Sequence, residues 1–172
     1  LIEGITGKKV NQKFETLAHT IGMVILLGLI ASATYLINDL FDLSADRLHP
    51  KKRSRPFASG ALPASKGILA AVIMLALSFG TAVVWLPEAV TLGLFGYLAA
   101  TLLYSFVLKH IAMLDVVVLA GLFTLRVALG QFIPPMTPSP WLLSFGLLFF
   151  LGLALIKRYA ELDNVMRSGG KK

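Results

Sequence analysis

Long apolar runs alternate with short polar breaks along this chain. Residues 1–15 are polar, with Lys8, Lys9 and Lys13, and read as a loop or interfacial segment. Residues 16–37 are apolar, with His19 as the one ionisable side chain near an end. A run of about 22 residues suffices to cross roughly 30 Å of hydrocarbon. The polar stretch from Asn38 to Asp46 is expected to continue that helix beyond the apolar core. Pro50 and Pro56 then stop it, and Pro56 to Gly60 reads as a tight turn. Four more runs follow: Ile68 to Leu86, closed by Trp85 and Pro87; Val90 to Val107; Ile111 to Ile133, which contains Asp115 and Arg126; and Trp141 to Ile156, which runs on into Lys157, Arg158 and Glu161. The segment PPMTPSP, 134–140, reads as a loop and the tail SGGKK as an unstructured end. The pattern predicts an all-α, multi-pass transmembrane helical bundle with five spans.

Composition agrees with a membrane chain. Hydrophobic residues make up 56% and charged residues 15%, and the mean hydropathy is +0.79. No cysteine is present, which removes disulfide and thiolate chemistry. The net charge of +7 lies between apolar spans and lacks interleaved aromatics, so it reads as orientation and phosphate-binding charge, with no nucleic-acid partner. The chain starts at Leu1 without a cleavable leader pattern, and a piece of a longer protein is expected.

The richest chemistry lies in NDLFDLSADRLHPKKRSRPFASG, residues 38–60. It holds three of the nine carboxylates, Asp39, Asp42 and Asp46, and five cations, Arg47, Lys51, Lys52, Arg53 and Arg55. On a helix, Asn38, Asp42 and Asp46 fall within roughly 80° of one another, and Asp39 lies about 100° from Asn38 at the edge of that stripe. Hard oxygen donors for a divalent cation thus stand beside cations for phosphate oxygens, the parts that a phosphate-bearing substrate needs. The plainer reading is a cytoplasmic loop obeying the positive-inside rule, but such a loop does not need acids at helical spacing.

Loop 47–67 carries six Lys or Arg, whereas 86–89 and 134–140 carry none. Alternation therefore puts the first loop, Lys109 and the segment after residue 156 on the cytoplasmic side. It is expected to gather residues 38–55, Lys109 with Asp115, and Lys157 to Asn164 at one membrane face. Charges near membrane depth are costly and usually face the interior of a bundle. Asp115 and Arg126 share a helix face but lie about 16 Å apart along the axis, so each needs its own partner. For Asp115 that partner is Lys109 or another loop cation, with a substrate role weighed equally. Arg126 is read as a structural cation or a contact for a substrate phosphate. Lys157 and Glu161 form either a surface pair at i, i+4 or, by their position, substrate ligands. His19 and His110 read as structural or interfacial, and His49 and Lys66 as solvated.

Asn38-Asp39-Leu-Phe-Asp42-Leu-Ser-Ala-Asp46 resembles the NDxxDxxxD motif of the UbiA superfamily of intramembrane prenyltransferases, and Arg55-Pro56-Phe-Ala-Ser59-Gly60 resembles its RPxxSG. LYSFVLKHIAMLDVVVLAGLFTLRVALG is similar to the middle of that fold, and KRYAEL, 157–162, stands where the second acidic motif belongs. The resemblance implies that residues 1–172 form part of a UbiA-like domain, the second to sixth of about nine helices around a cavity in which acidic motifs hold Mg²⁺. Where many members carry DxxxD in the second motif, this chain has Lys157 and Glu161. That form, with LDVVVLAGLFTLR, looks most like the decaprenyl-phosphate phosphoribosyltransferase branch and its phosphatase-domain-fused relatives.

The resemblance further implies a bacterial inner-membrane transferase with its site toward the cytoplasm. Asp42, Asp46 and Asp39 would be catalytic and, with Asn38, would hold Mg²⁺. Arg55, Lys109, Lys52, Arg53, Asp115, Lys157, Glu161 and Arg126 would bind substrate. The expected reaction moves phosphoribose from phosphoribosyl diphosphate to a polyprenyl phosphate. The alternatives are prenyl transfer from a polyprenyl diphosphate to an aromatic or other acceptor, and a non-catalytic membrane scaffold or transporter fragment. Against a transporter stands the lack of paired Gly/Pro-broken helices.

Overall fold

The structure, a computed structural model, describes the backbone of residues 2–111, 113–134 and 137–167. The side chains of Asn164 and His110, part of the 134–140 loop and the tail 168–172 lie outside the described residues. The described residues form helices and connections, with no strand among them. In order they are α1 (Ile2–Phe41), α2 (Leu43–Leu48), a 3₁₀ turn at Lys52–Ser54, α3 (Ala64–Trp85), α4 (Glu88–Phe106), a second 3₁₀ turn at Leu108–His110, α5 (Leu114–Gln131) and α6 (Pro140–Arg167). Among the described residues, five stretches are long and apolar enough to span a bilayer: Lys8–Phe41, Ala64–Trp85, Glu88–Phe106, Leu114–Gln131 and Pro140–Asp163. The five expected spans are therefore present, with ends moved by a few residues. Large apolar side chains such as Val84, Ile156 and Trp141 point outward, as they do where lipid is the solvent.

Two expectations about α1 change. Residues 2–15 are helical and join the first span instead of forming a loop. No proline interrupts them, and Lys, Glu and Gln are good helix formers. Once a helix is nucleated, adding a turn costs little, and the lysine stems reach outward to keep their charges wet. At its other end the helix does not run straight to Asp46. It breaks at Asp42, whose ψ of 1° opens one turn before α2 begins. The ladder nonetheless continues across the break: Asp42 N–H donates to Asn38 O at 2.9 Å and Asp46 N–H to Asp42 O at 2.8 Å.

The chain divides into two compact units, Leu1–Leu98 and Ala99–Lys172. In the first, α1 packs on α3. Helix α1 buries Met23, Leu26, Leu27, Ile30 and Ala33, a stripe at spacings of three and four. The buried residues of α3 are all small: Gly67, Ala71, Ser78 and Ala82. Small residues let membrane helices approach closely where no hydrophobic driving force separates lipid from protein. Of the α1 glycines Gly22 and Gly28, the first is the one that packing requires. A Cβ at Gly22 would overlap the Trp85 ring, whereas one at Gly28 would meet nothing. Trp85 also receives His19 edge-on, with centroids 5.2 Å apart, which gives that histidine a packing role. Helices α3 and α4 are joined by Leu86 and Pro87 alone. Thr91 Oγ1 donates back to Ala82 O at 3.0 Å, and Phe79 stacks on Phe95 at 4.0 Å.

In the second unit α5 packs on α6. Phe123 stacks on Phe150 at 5.1 Å across that pair, and the Arg126 guanidinium lies over the Phe123 ring at 4.9 Å. The connection is closed by Gln131, whose Oε1 accepts the Ser139 N–H at 2.6 Å.

The two glycines provide a matched test of α1. Gly22→Ala must push the Trp85 ring aside and should cost about 1–3 kcal/mol. Gly28→Ala meets open space and should be neutral or gain up to about 1 kcal/mol from helix propensity. Thermal unfolding midpoints of the two variants in one detergent separate them.

Candidate active site

The carboxylates of the first unit are organised by one arginine. Arg55 Nη1 donates to Asp46 Oδ2 at 2.7 Å and to Asp39 Oδ1 at 3.1 Å. Asp46 is 3% exposed, and Lys52 Nζ lies 3.9 Å from its other oxygen. A buried carboxylate is stable only with its charge compensated, and Arg55 is the near partner that does so. The remaining two residues of the motif pair separately: Asn38 Nδ2 donates to Asp42 Oδ2 at 3.2 Å.

The expected column of Asn38, Asp42 and Asp46 therefore resolves into two pairs, 38 with 42 and 39 with 46. Seven residues make almost two whole turns, so Asp39 and Asp46 stand about 20° apart on a helix. Among the described residues, no three of His, Asp or Glu gather in a metal-ligating group.

The position of Arg55 is fixed by its neighbours in the loop. Phe57 is the one large apolar side chain between Leu48 and Leu62, and it is buried. Its ring fills the notch left by Gly67 of α3: a Cβ there would lie 2.5 Å from the ring and 3.5 Å from Leu40 of α1. Ser59 N–H donates to Arg55 O at 2.9 Å, and Leu62 N–H to Pro56 O at 3.0 Å. Gly60, with φ +81°, completes the turn in a conformation that glycine adopts without strain. The RPFASG segment is thus a clamp that wedges one residue into α3 and returns another to the end of α1. Arg47, Lys51, Lys52 and Arg53 are exposed around it. His49 is exposed too and accepts the Lys51 N–H at 3.2 Å on Nδ1, while Lys66 sits exposed in the first turn of α3.

These donors fit a hard divalent cation. Two carboxylate oxygens already reach a single cationic atom, and Mg²⁺ is commonly held by one or two carboxylates together with water and substrate phosphate.

In the second unit Asp115 is half-buried at the start of α5. Its Oδ1 accepts the Val116 N–H at 2.8 Å, and its Oδ2 lies 3.8 Å from Arg158 Nη1 of α6. Arg158 also reaches Glu161 at 3.5 Å, and Lys157 stands 4.0 Å from Glu161. The Lys157–Glu161 pair is exposed on both sides, a geometry worth a few tenths of a kcal/mol. Lys109 and Arg126 are half-buried.

Comparison with known proteins bears on both units. The profile of the UbiA prenyltransferase family matches residues 9–171. The chain belongs to the UbiA prenyltransferase family. It is 46% identical over 153 residues to an uncharacterized protein of Sinorhizobium fredii, covering 89% of this chain and 30% of that one. It is 39% identical over 154 residues to a decaprenyl-phosphate phosphoribosyltransferase of Mycolicibacterium smegmatis, covering 86% of this chain and 46% of that one. With the enzyme of the same name from Mycobacterium tuberculosis it shares 36% over 158 residues, covering 90% and 51%. The chain spans about half the length, or less, of these curated relatives.

Within this UbiA chain the residues that sequence reasoning passed over are Phe57, Gly67 and Arg158. A lone aromatic in a polar loop is a visible signal for the first. The other two depend on contacts between distant segments. Phe57→Ala, which empties the notch, should cost about 3 kcal/mol. Arg55→Gln should cost about 2 kcal/mol by leaving the Asp46 carboxylate to the more distant Lys52. The exposed Arg53→Gln should stay within about 0.5 kcal/mol of the wild type. Denaturation midpoints of the three variants in detergent check that order.

Proposed function

We propose that this chain carries the donor-diphosphate site of a Mg²⁺-dependent membrane transferase, which moves phosphoribose from phosphoribosyl diphosphate to a polyprenyl phosphate. The carrying observation is the convergence of Asp39 and Asp46 on one cationic atom beside exposed Lys52 and Arg53. The names of the mycobacterial relatives support the choice of donor and acceptor.

Asp39 and Asp46 would hold the cation, with Asp42 and its partner Asn38 alongside through water or directly. Bound there, Mg²⁺ would offset the charge of the departing diphosphate. Arg55, Lys52 and Arg53 bind phosphate oxygens and orient the donor. In the second unit, Lys109, Arg126 and Lys157 are phosphate-binding candidates, while Asp115 and Glu161 hold Arg158. An acceptor phosphate oxygen forms a bond to the anomeric carbon of the ribose as the bond from that carbon to the diphosphate oxygen breaks. Fixed positive charge at the leaving group lowers the barrier most when it is already oriented. The six cations of 47–67 support a site at the cytoplasmic side of a bacterial inner membrane under the positive-inside rule.

The test uses the full-length protein in liposomes with labelled phosphoribosyl diphosphate and a polyprenyl phosphate, with and without Mg²⁺. Cation-dependent labelling of the lipid is expected, reduced at least about 100-fold by Asp42→Asn with the unfolding midpoint unchanged. Transfer from a prenyl diphosphate to an aromatic acceptor instead would replace the substrates and keep the site. Wild-type turnover by Asp42→Asn would remove the assignment of Asp42, and inactivity with both donors would favour a scaffold.

A further inference from the structure

Arg55 stands at the point on which Asp39 and Asp46 converge. One nitrogen, Nη1, serves both carboxylates, and the Arg55 side chain keeps 39% of its surface exposed while that of Asp46 keeps 4%. The carboxylate is fixed in the interior and the guanidinium sits at the rim. A small dication and a guanidinium cannot occupy the same point, and like charges repel strongly at short range in a medium of low polarity. Asp46 needs one of them at all times, because an uncompensated buried carboxylate is strongly unfavourable.

We propose that Arg55 is the resident counter-ion of Asp39 and Asp46 and that a divalent cation binds by displacing it. Cation entry and release of the guanidinium are one exchange. Without cation the arginine keeps the α1 end, α2 and the loop together. With cation the arginine is freed at the exposed rim, where a substrate phosphate can take it. Lys52, 3.9 Å from Asp46 and exposed, is placed to follow the same movement. The anchor that makes the exchange local is Phe57, which holds the loop on α3 whichever partner Arg55 has. The exchange rests on the cation-binding reading above and adds that the protein's own arginine sets the affinity for the ion.

The consequence is counter to the usual effect of removing a site residue. Loss of Arg55 should tighten cation binding in the absence of substrate, because the ion no longer has a competitor. The full-length protein in detergent is titrated with Mn²⁺, and the loss of the free-ion electron paramagnetic resonance signal gives the dissociation constant without any turnover. Arg55→Gln is expected to bind Mn²⁺ about tenfold tighter than wild type. Its unfolding midpoint should fall below wild type without cation and recover most of the gap at saturating Mn²⁺. Arg55→Lys, which keeps a charge for Asp46 but loses the planar fork, should fall between the two and serves if Arg55→Gln does not fold. Equal or weaker Mn²⁺ binding in both variants overturns the exchange while leaving the cation site intact. Absence of specific binding in wild type and in both variants overturns the exchange together with the reading on which it rests.

Discussion

A carboxylate buried almost completely beneath a polar loop dictates much of this structure. Asp46 cannot stay charged there alone, and the charge that answers it comes from a residue nine positions later. That demand bends the chain back at Pro50, brings Arg55 over the end of α1, and recruits Asp39 to the same nitrogen. The arrangement would be loose if the loop were merely polar. Phe57 makes it firm by burying an aromatic ring against Gly67, so an apolar contact in α3 positions an ionic one at α1. Electrostatics sets what must meet, and packing sets where.

Several hydroxyls in the helices are satisfied within their own helix, as suits a lipid environment. The hydroxyls of Ser32, Thr34 and Ser78 donate to carbonyls of their own helices three or four residues earlier, so no partner helix is needed for them. Ser78 is thereby free to serve as a small residue in the buried stripe of α3. On α3 bulk is turned outward and smallness inward, the reverse of a helix in a water-soluble pair.

The spans were legible because hydropathy and length are properties of contiguous sequence. Their ends were less so. Lys8, Lys9 and Lys13 resemble a loop in composition, yet the backbone remains helical through them. Within the site, the residue types and the RPFASG turn were readable, and so was the need of Asp115 for a partner. The identity of that partner was not: Arg158 lies more than forty positions away, and only the packing of α5 on α6 brings it near. The pairing of Asp39 with Asp46 was available from periodicity alone. The turn at Asp42 breaks the i, i+4 column of Asn38, Asp42 and Asp46 into the pairs 38 with 42 and 39 with 46.

The two-residue connection between α3 and α4 bears on how the polypeptide enters the bilayer. Helices tied by Leu86 and Pro87 cannot be threaded independently. Thr91 and the Phe79–Phe95 stack knit them from the turn inward, so they behave as a single wedge. The tip of that wedge carries one acidic side chain, Glu88. Insertion of this pair therefore carries two spans and one carboxyl side chain as a single unit.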